Sequence, residues 1–465
     1  MDPDSPMPDT PLQWHSNIYL MLSHVSEPSV LMLPTEQGWS LLHLQHAGRM
    51  RLANVEPLQQ IVAQSLGLSA TVLRCVATHT AHQQLEAIFL LENHGPGWNP
   101  PVGWRWVTRE DLAVLPLAVP AHHAVLETCL AEAETAAIPA LRAPWARRGW
   151  FAQAQAWIEA QLERLDYVRV PPLIQVRNWG ISCVLRTRTF TGDLYLKVAS
   201  TRPLFAREAV VVQELAARYP AHMPLPVAVD PHQNWLLLAD VGPALRSTPD
   251  SQVWAEALYT FGRLQRATAT QVDDLLRLGC RDRRLETMLA HLETLVQDAE
   301  VAVQLKADEQ ARLRHLIPRL TAMGHALADY RVPYTLVHGD LHPGNIARHQ
   351  GTYRFFDWTD ACIAHPFFDV LPMLHDAQAL PDAASARSHM LESYLELWTA
   401  YESPEHLRQV WALAQPLGAL HQAISYAHIV AGLEATAKHE QTWGISYWLR
   451  KVLQFLEPES PATGL

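Results

Sequence analysis

The sequence predicts an α+β protein of several domains, and three observations carry that reading. Up to about residue 242, short strand-like apolar runs are interrupted by single helical stretches, whereas beyond Pro243 helical spacing of apolar residues takes over. A chain of 465 residues with 49% hydrophobic content suffices for about three domains at ~150 residues each. Inside the helical half, residues 334–358 revert to strand and loop, and they hold the densest set of chemically active side chains.

Taken in order, residues 1–12 are acidic and proline-rich and are expected to form a disordered tail. Residues 13–130 follow with strand-like runs at 18–22, 30–33 and 39–44, then one helix over 56–66 that stops at Gly67, a suitable C-cap. Apolar runs at 71–76 and 85–91 come next, and then a Trp-Val segment in which Thr108 can cap a short helix. This order resembles a Nudix domain. The resemblance implies glutamates on and near that helix to hold metal against a diphosphate. The corresponding positions carry Leu52, Ile61, Gln64 and Ser65. Uncharged groups do not replace anionic oxygen ligands for a hard cation, so a non-catalytic Nudix-like domain is expected.

Residues 131–165 read as a helical connector, broken at Pro139 and Pro144 and closed by a helix over 150–162. Over 166–242 the period returns to strands. Runs at 176–186 and 194–198 bracket the turn signal Thr191-Gly192-Asp193, a helix covers 207–218, and a further strand covers 234–242. Residues 243–465 are mainly helical, with amphipathic stretches near 252–268, 283–299, 306–328, 383–401, 405–430 and 440–456.

The bulk numbers exclude several classes. A formal net charge of −11 argues against nucleic-acid binding, which needs a basic face, and is compatible with a cationic small-molecule substrate. No apolar run approaches the ~20 residues of a membrane helix, and the acidic start is not that of a secretory signal. Five dispersed cysteines without a CxxC pair fit free thiols in a reducing compartment, so a cytoplasmic location is expected. Composition leaves the oligomeric state open.

The chemistry concentrates in His338-Gly-Asp-Leu-His-Pro-Gly-Asn345 and Phe356-Asp357-Trp358. Two carboxylates and a carboxamide at such spacing can hold a divalent cation and leave one carboxylate to face a hydroxyl. Phosphoryl transfer needs these groups, together with a cation on the phosphates. Lys197 lies mid-strand, and Glu208, at the start of the following helix, can pair with it, with Glu214 as a rival.

At these residues the chain resembles the aminoglycoside phosphotransferase and choline kinase family of the protein-kinase-like fold. That resemblance implies a bilobal body: a nucleotide-binding small lobe at 166–242 and a helical catalytic and substrate lobe at 243–465. It implies ATP and Mg2+ as cofactors, Asp340 as catalytic base, and Asn345 and Asp357 as metal ligands. Lys197 would contact the α- and β-phosphates, steadied by Glu208, and Ala239 to Val241 would form the adenine hinge. The nucleotide loop, residues 177–182, holds only Gly180, so the Ser182 hydroxyl is expected to share in phosphate contact. Asp369 would be structural, His338 would brace the loop, and Asp360 could face a cationic substrate. The expected acceptor is a small-molecule hydroxyl, aminoglycoside-like or another amino alcohol or sugar. The alternatives are a nucleotide-binding regulatory pseudoenzyme and a metal-dependent phosphoesterase. The first is disfavoured by the complete set of chemical residues. The second is suggested by Gly339-Asp-Leu-His342, but its downstream metal blocks are missing.

Overall fold

The computed structural model describes residues 14–135, 137–202 and 205–456; the tail expected over residues 1–12 lies outside the described residues. The chain divides into two compact units. One holds the described residues up to Val198 together with Leu433–Glu440; the other holds Ala199–Gly432 and the residues from Gln441 on. The division falls inside the stretch expected to form the nucleotide-binding lobe.

The first unit is built on a seven-stranded mixed sheet. Its strands are β1 (His15–Ser23), β2 (Val30–Thr35), β3 (Gly38–Ser40), β4 (Leu42–Ala47), β5 (Ala70–Ala81), β6 (Gln84–Asn93) and β7 (Arg105–Val107). β1 runs parallel to β6 and antiparallel to β2 and β4. The helix Glu56–Leu66 appears where expected and closes on Gly67, whose φ of 62° a side-chain-free residue adopts without strain. Thr108 caps the helix Arg109–Leu112 in a reciprocal box with Asp111. Alternate side chains of the sheet feed two apolar clusters, one around Leu20, Leu58, Val62 and Phe89, the other around Met21, Ile88, Val107 and Leu126.

Three more strands belong to this unit: β8 (Arg169–Asn178), β9 (Ser182–Thr189) and β10 (Gly192–Ala199), the last but for its final residue. Buried amides explain the association. Gln175 on β8 accepts from the Val72 N–H and donates to the Val72 carbonyl, both at 2.9 Å, while the Asn178 amide donates to the carbonyls of Val72 and Leu73. Polar side chains bonded this way in a dry interface specify one register, because any other leaves them unpaired.

The second unit opens with the helix Glu208–Arg218 and the hairpin β11 (Pro226–Asp230) and β12 (Trp235–Ala239), and is helical thereafter. Its principal helices are Ser251–Thr268, Ala307–Ala328, Ala383–Glu396, Pro404–Ala431 and Thr442–Leu456. The stretch expected as one helix over 283–299 is instead several short ones, Leu285–Ala290, Leu292–Gln297 and Ala299–Ala302. Asp298 ends the run by turning its carboxylate onto the N–H groups of Glu300 and Val301, which starts a new helix. Small strands carry the remainder: β13 (Arg281–Asp282), β14 (Thr335–Val337), β15 (Ile346–His349), β16 (Thr352–Phe355) and β17 (Cys362–Ala364). β17 lies between β13 and β14, and β15 pairs with β16. One apolar cluster, including Trp254, Phe261, Phe355, Trp358 and Trp398, fills the unit. Among the described residues no helix is long and apolar enough to cross a membrane.

Candidate active site

The loop 338–345 joins β14 to β15, and the β15–β16 hairpin decides what it meets. The register Ile346↔Phe355 sets Asn345 opposite Phe356, whose N–H donates to the Asn345 carbonyl at 3.0 Å. Asp357 is the next residue. An eleven-residue separation between Asn345 and Phe356 in sequence thereby becomes adjacency, through a tight turn at Gln350-Gly351 in which both residues have positive φ.

Within the loop the Asn345 amide nitrogen donates to the Asp340 carbonyl at 2.9 Å and to its carboxylate at 3.2 Å. That use of the nitrogen leaves the carboxamide oxygen as a ligand atom. The Asp340 carboxylate is 44% exposed, so it is fixed by the loop yet open to an incoming group. Burial raises its proton affinity, but His342, with Nε2 3.5 Å away, outweighs it, so the carboxyl sits below its ordinary range and stays ionised at neutral pH. His342 is shifted the other way: burial lowers it, but Asp340 raises it more.

His338 is fully buried. Its Nε2–H donates to the Phe356 carbonyl at 3.0 Å and its Nδ1 accepts from the Asp340 N–H at 3.3 Å, a pattern that requires the neutral ring. Burial holds its pKa down at about 4. Asp369 lies beneath the loop and accepts the N–H groups of His338 at 2.8 Å and Gly339 at 3.0 Å, with Gln265 donating at 3.1 Å. Burial pushes its carboxyl up to about 7 even against those bonds. Gly339 has φ 83°, and a Cβ there would stand 2.5 Å from the Asp360 carbonyl oxygen, so only glycine fits.

Asp357 has φ 67°, uncommon for a residue with a side chain and the kind of strain that clusters at functional sites. Its Oδ1 accepts from the Thr359 hydroxyl at 2.9 Å. Glu208 is buried and accepts from the Trp358 N–H at 2.9 Å and the Thr359 hydroxyl at 3.2 Å, which ties the helix start to the Asp357 segment. Glu214, the rival, pairs with Arg218 at the helix surface. Ala239 ends β12 with its N–H on the Leu225 carbonyl, and the half-buried Val241 follows between the exposed Asp240 and Gly242, the Asp240 carboxylate accepting the Gly242 N–H.

In the other unit, Lys197 is 9% exposed on β10, unlike the solvated lysine that a strand usually carries. Ser182 is buried, and its Oγ accepts the Trp179 indole N–H at 2.7 Å. The loop between β8 and β9 is further held by the Trp145 indole on the Trp179 carbonyl and by Glu440, which accepts the Gly180 N–H at 2.8 Å.

The sequence reading missed the outer supports. Gln422 donates to the Gly339 carbonyl at 2.7 Å from 83 residues away, and Tyr394 donates to Gln265 at 2.6 Å. No local pattern marks either residue. Thr359, by contrast, lies only two residues from Asp357, so its contact is local in sequence.

Comparison with known proteins decides the family. A protein-family model described as phosphotransferase enzyme family matches residues 174–407, half of the chain. The chain belongs to that family. It is a small-molecule kinase, and the family implies the use of ATP. No curated protein sequence matches it. Among solved structures it is similar to a choline/ethanolamine kinase family protein from Mesorhizobium loti, at 15% identity over 67% of this chain and 95% of that one, TM-score 0.45. It is also similar to choline kinase LicA from Streptococcus pneumoniae, at 14% identity over 65% and 99%, TM-score 0.44. A third is an aminoglycoside 2′-phosphotransferase-IIIa in its GDP complex, at 13% identity over 65% and 97%, TM-score 0.46.

Proposed function

We propose that this phosphotransferase moves the γ-phosphoryl group of ATP to a hydroxyl of a small molecule, with Asp340 as the base. The observation that carries the reading is the Asp340–Asn345 pair: an ionised, half-exposed carboxylate oriented by a carboxamide whose oxygen remains available. As the acceptor oxygen attacks phosphorus, its proton passes to Asp340, the new O–P bond forms, and the bond to the β-phosphate oxygen breaks to release ADP.

Asn345 and Asp357 would hold Mg2+. The fit rests on the donor set, one carboxamide oxygen and one carboxylate brought side by side by the hairpin. Among the described residues no group of three or more His, Cys, Asp or Glu could form a cage. Magnesium is commonly held by one or two carboxylates plus substrate phosphates, so a sparse set suits it. When bound, the ion neutralises charge on the phosphate oxygens. Lys197 is assigned to the α- and β-phosphates, Ser182 and the 177–182 loop to phosphate contact, and Ala239 to Val241 to the adenine. Glu208 steadies the Asp357 segment; His338 and Asp369 hold the loop.

The same reading divides the chain into a domain at 13–130, a connector at 131–165, a nucleotide lobe at 166–242 and a catalytic lobe at 243–465. A Nudix-like, non-hydrolytic identity for 13–130 is supported by the mixed sheet and the helix ending on Gly67. Five free, buried cysteines support a cytoplasmic location. The acceptor belongs among hydroxyl compounds of the sugar or amino-alcohol kind, Asp360 standing beside Gly339 at the loop.

Calorimetry with magnesium-ATP, followed by an acceptor screen read by ADP release, tests this. Asp340→Ala is expected to leave nucleotide binding in place and to lower kcat by about 10²–10⁴-fold, the usual share of a general base. Absence of nucleotide binding, or turnover indifferent to the substitution, would overturn it.

A further inference from the structure

Two arginines beside the catalytic loop form no ion pair among the described residues, Asp360 being the carboxylate whose charge reaches Arg283. Arg281 and Arg283 follow one another at alternate positions along the edge of β17, their N–H groups bonded to the carbonyls of Ala361 at 3.0 Å and Ile363 at 2.9 Å. Alternation along an extended chain places both side chains on one face. Among the described residues neither has a carboxylate within ion-pair distance, whereas Asp282, between them, is occupied by Arg284 at 2.7 Å. Arg283 is 6% exposed, and its Nη1 has no hydrogen-bond partner. Its Nη2 donates to His428 Nδ1 at 3.0 Å, so the ring it meets is a neutral acceptor and no counter-charge.

The neighbours agree. His291 packs edge-on against His428 at 5.0 Å, and both rings are held below the ordinary histidine value, first by burial and then by the two guanidinium charges. The same field reaches His421 and Asp360. Asp360 abuts Gly339, and Gln422, next to His421 on the helix Pro404–Ala431, holds the Gly339 carbonyl. The basic cluster therefore adjoins Asp340's loop, on the strand and helix that flank it.

A guanidinium does not discharge at physiological pH, and burying one with an N–H unpaired costs free energy that only an anion or a strong acceptor restores. Two such groups on one face present the planar forks that suit a phosphate or carboxylate. We propose that the acceptor alcohol carries an anionic group, a phosphate or a carboxylate, received by Arg281 and Arg283 beside the catalytic loop. The inference rests on the kinase reading above and departs from the cationic acceptor that the net charge and Asp360 led us to expect.

The test uses the full chain with magnesium and a non-hydrolysable ATP analogue at saturation, titrated calorimetrically with inorganic phosphate and, separately, with acetate. One of the two is expected to bind in the millimolar range or better, and which one does separates a phosphate from a carboxylate on the acceptor. Arg281→Met, at a half-buried site, is expected to weaken that binding at least tenfold while leaving the Tm near wild type. Arg283→Met should do the same, and Arg283→Lys should restore part of it. Arg408→Met, which removes an exposed arginine paired with Glu392, should change nothing. Binding of neither anion, binding indifferent to Arg281→Met, or loss of anion binding on adding the nucleotide analogue would each overturn the proposal. Failure of the analogue itself to bind would instead strike the kinase reading, and the anion titrations of wild type and variants would still decide this one.

Discussion

At the scale of single residues, the loop works because its polar groups have assigned partners. Asp369 takes two successive backbone N–H groups, His338 spans from Phe356 to Asp340, and Asn345 aims Asp340. Gly339 is the tightest point, since any Cβ meets the Asp360 backbone. Gly339→Ala forces both a disfavoured φ and a displacement of Asp360, so a loss of about 1–3 kcal/mol is expected from backbone strain alone. Thermal melts should register that loss. Because the displaced segment joins Asp357 to the basic pair, kcat should fall at least about tenfold, the effect of a 1.4 kcal/mol rise in barrier. Activity unchanged beside a lowered Tm would show that the loop tolerates the shift.

At the scale of elements, the β8–β9 turn is pinned rather than free. Trp145 holds the Trp179 carbonyl, Trp179 holds Ser182, and Glu440 takes the Gly180 N–H; Leu433 and Ala437, from the segment Glu440 ends, lie where a Gly180 side chain would go. If this turn covers the nucleotide phosphates, as proposed, its anchor sets nucleotide affinity. Removing its acceptor leaves the half-buried Gly180 N–H unpaired, at a cost of about 1–3 kcal/mol. Glu440→Ala is thus expected to raise KM for ATP about tenfold with a smaller change in kcat, and Glu440→Gln, which keeps an acceptor oxygen, to lie near wild type. Steady-state kinetics at varied ATP would show it; a lowered Tm with KM intact would reduce Glu440 to a structural role.

At the scale of the whole molecule, buried titratable groups set the response to pH. Burial lowers His338 and His428 to about 4 and His365 and His421 to about 3. In the unfolded chain these rings take up protons near pH 6.5, whereas in the folded state they stay neutral, so stability falls as pH drops through 6.5. Asp369 and Glu440, pushed up to about 7, act oppositely: the folded state keeps protons that the unfolded chain has lost, so they favour folding on the acid side. Four groups oppose two, so between about pH 4.5 and 6.5 the balance lies with the histidines. Tm should rise with pH over that interval, and His421→Leu should flatten the rise. A profile that falls with pH would reverse the assignment.

Much of the candidate site was legible in the sequence because its residues lie close together along the chain. Asp340 and Asn345 lie five residues apart, and Asp357 follows at the end of a hairpin whose turn residues are visible. The helix at 56–66 with its Gly67 stop and the Thr108 cap were legible for the same reason, each being a contact within a few residues. The break-up of 283–299 was not, because a capping aspartate competes with helical spacing that continues past it. What the sequence alone supplied was the candidate groups for the proposed reaction: a carboxylate, a carboxamide and a second carboxylate at hairpin spacing. What only the tertiary structure decided was the setting of those groups. It brought Gln422 to the Gly339 carbonyl, turned Glu208 onto Trp358 and Thr359, and set beside the loop two arginines that form no ion pair among the described residues. Contacts between residues 80 to 150 positions apart leave no periodicity to read, and the sign of the charge facing an acceptor comes from which side chains remain unpaired after the chain has packed.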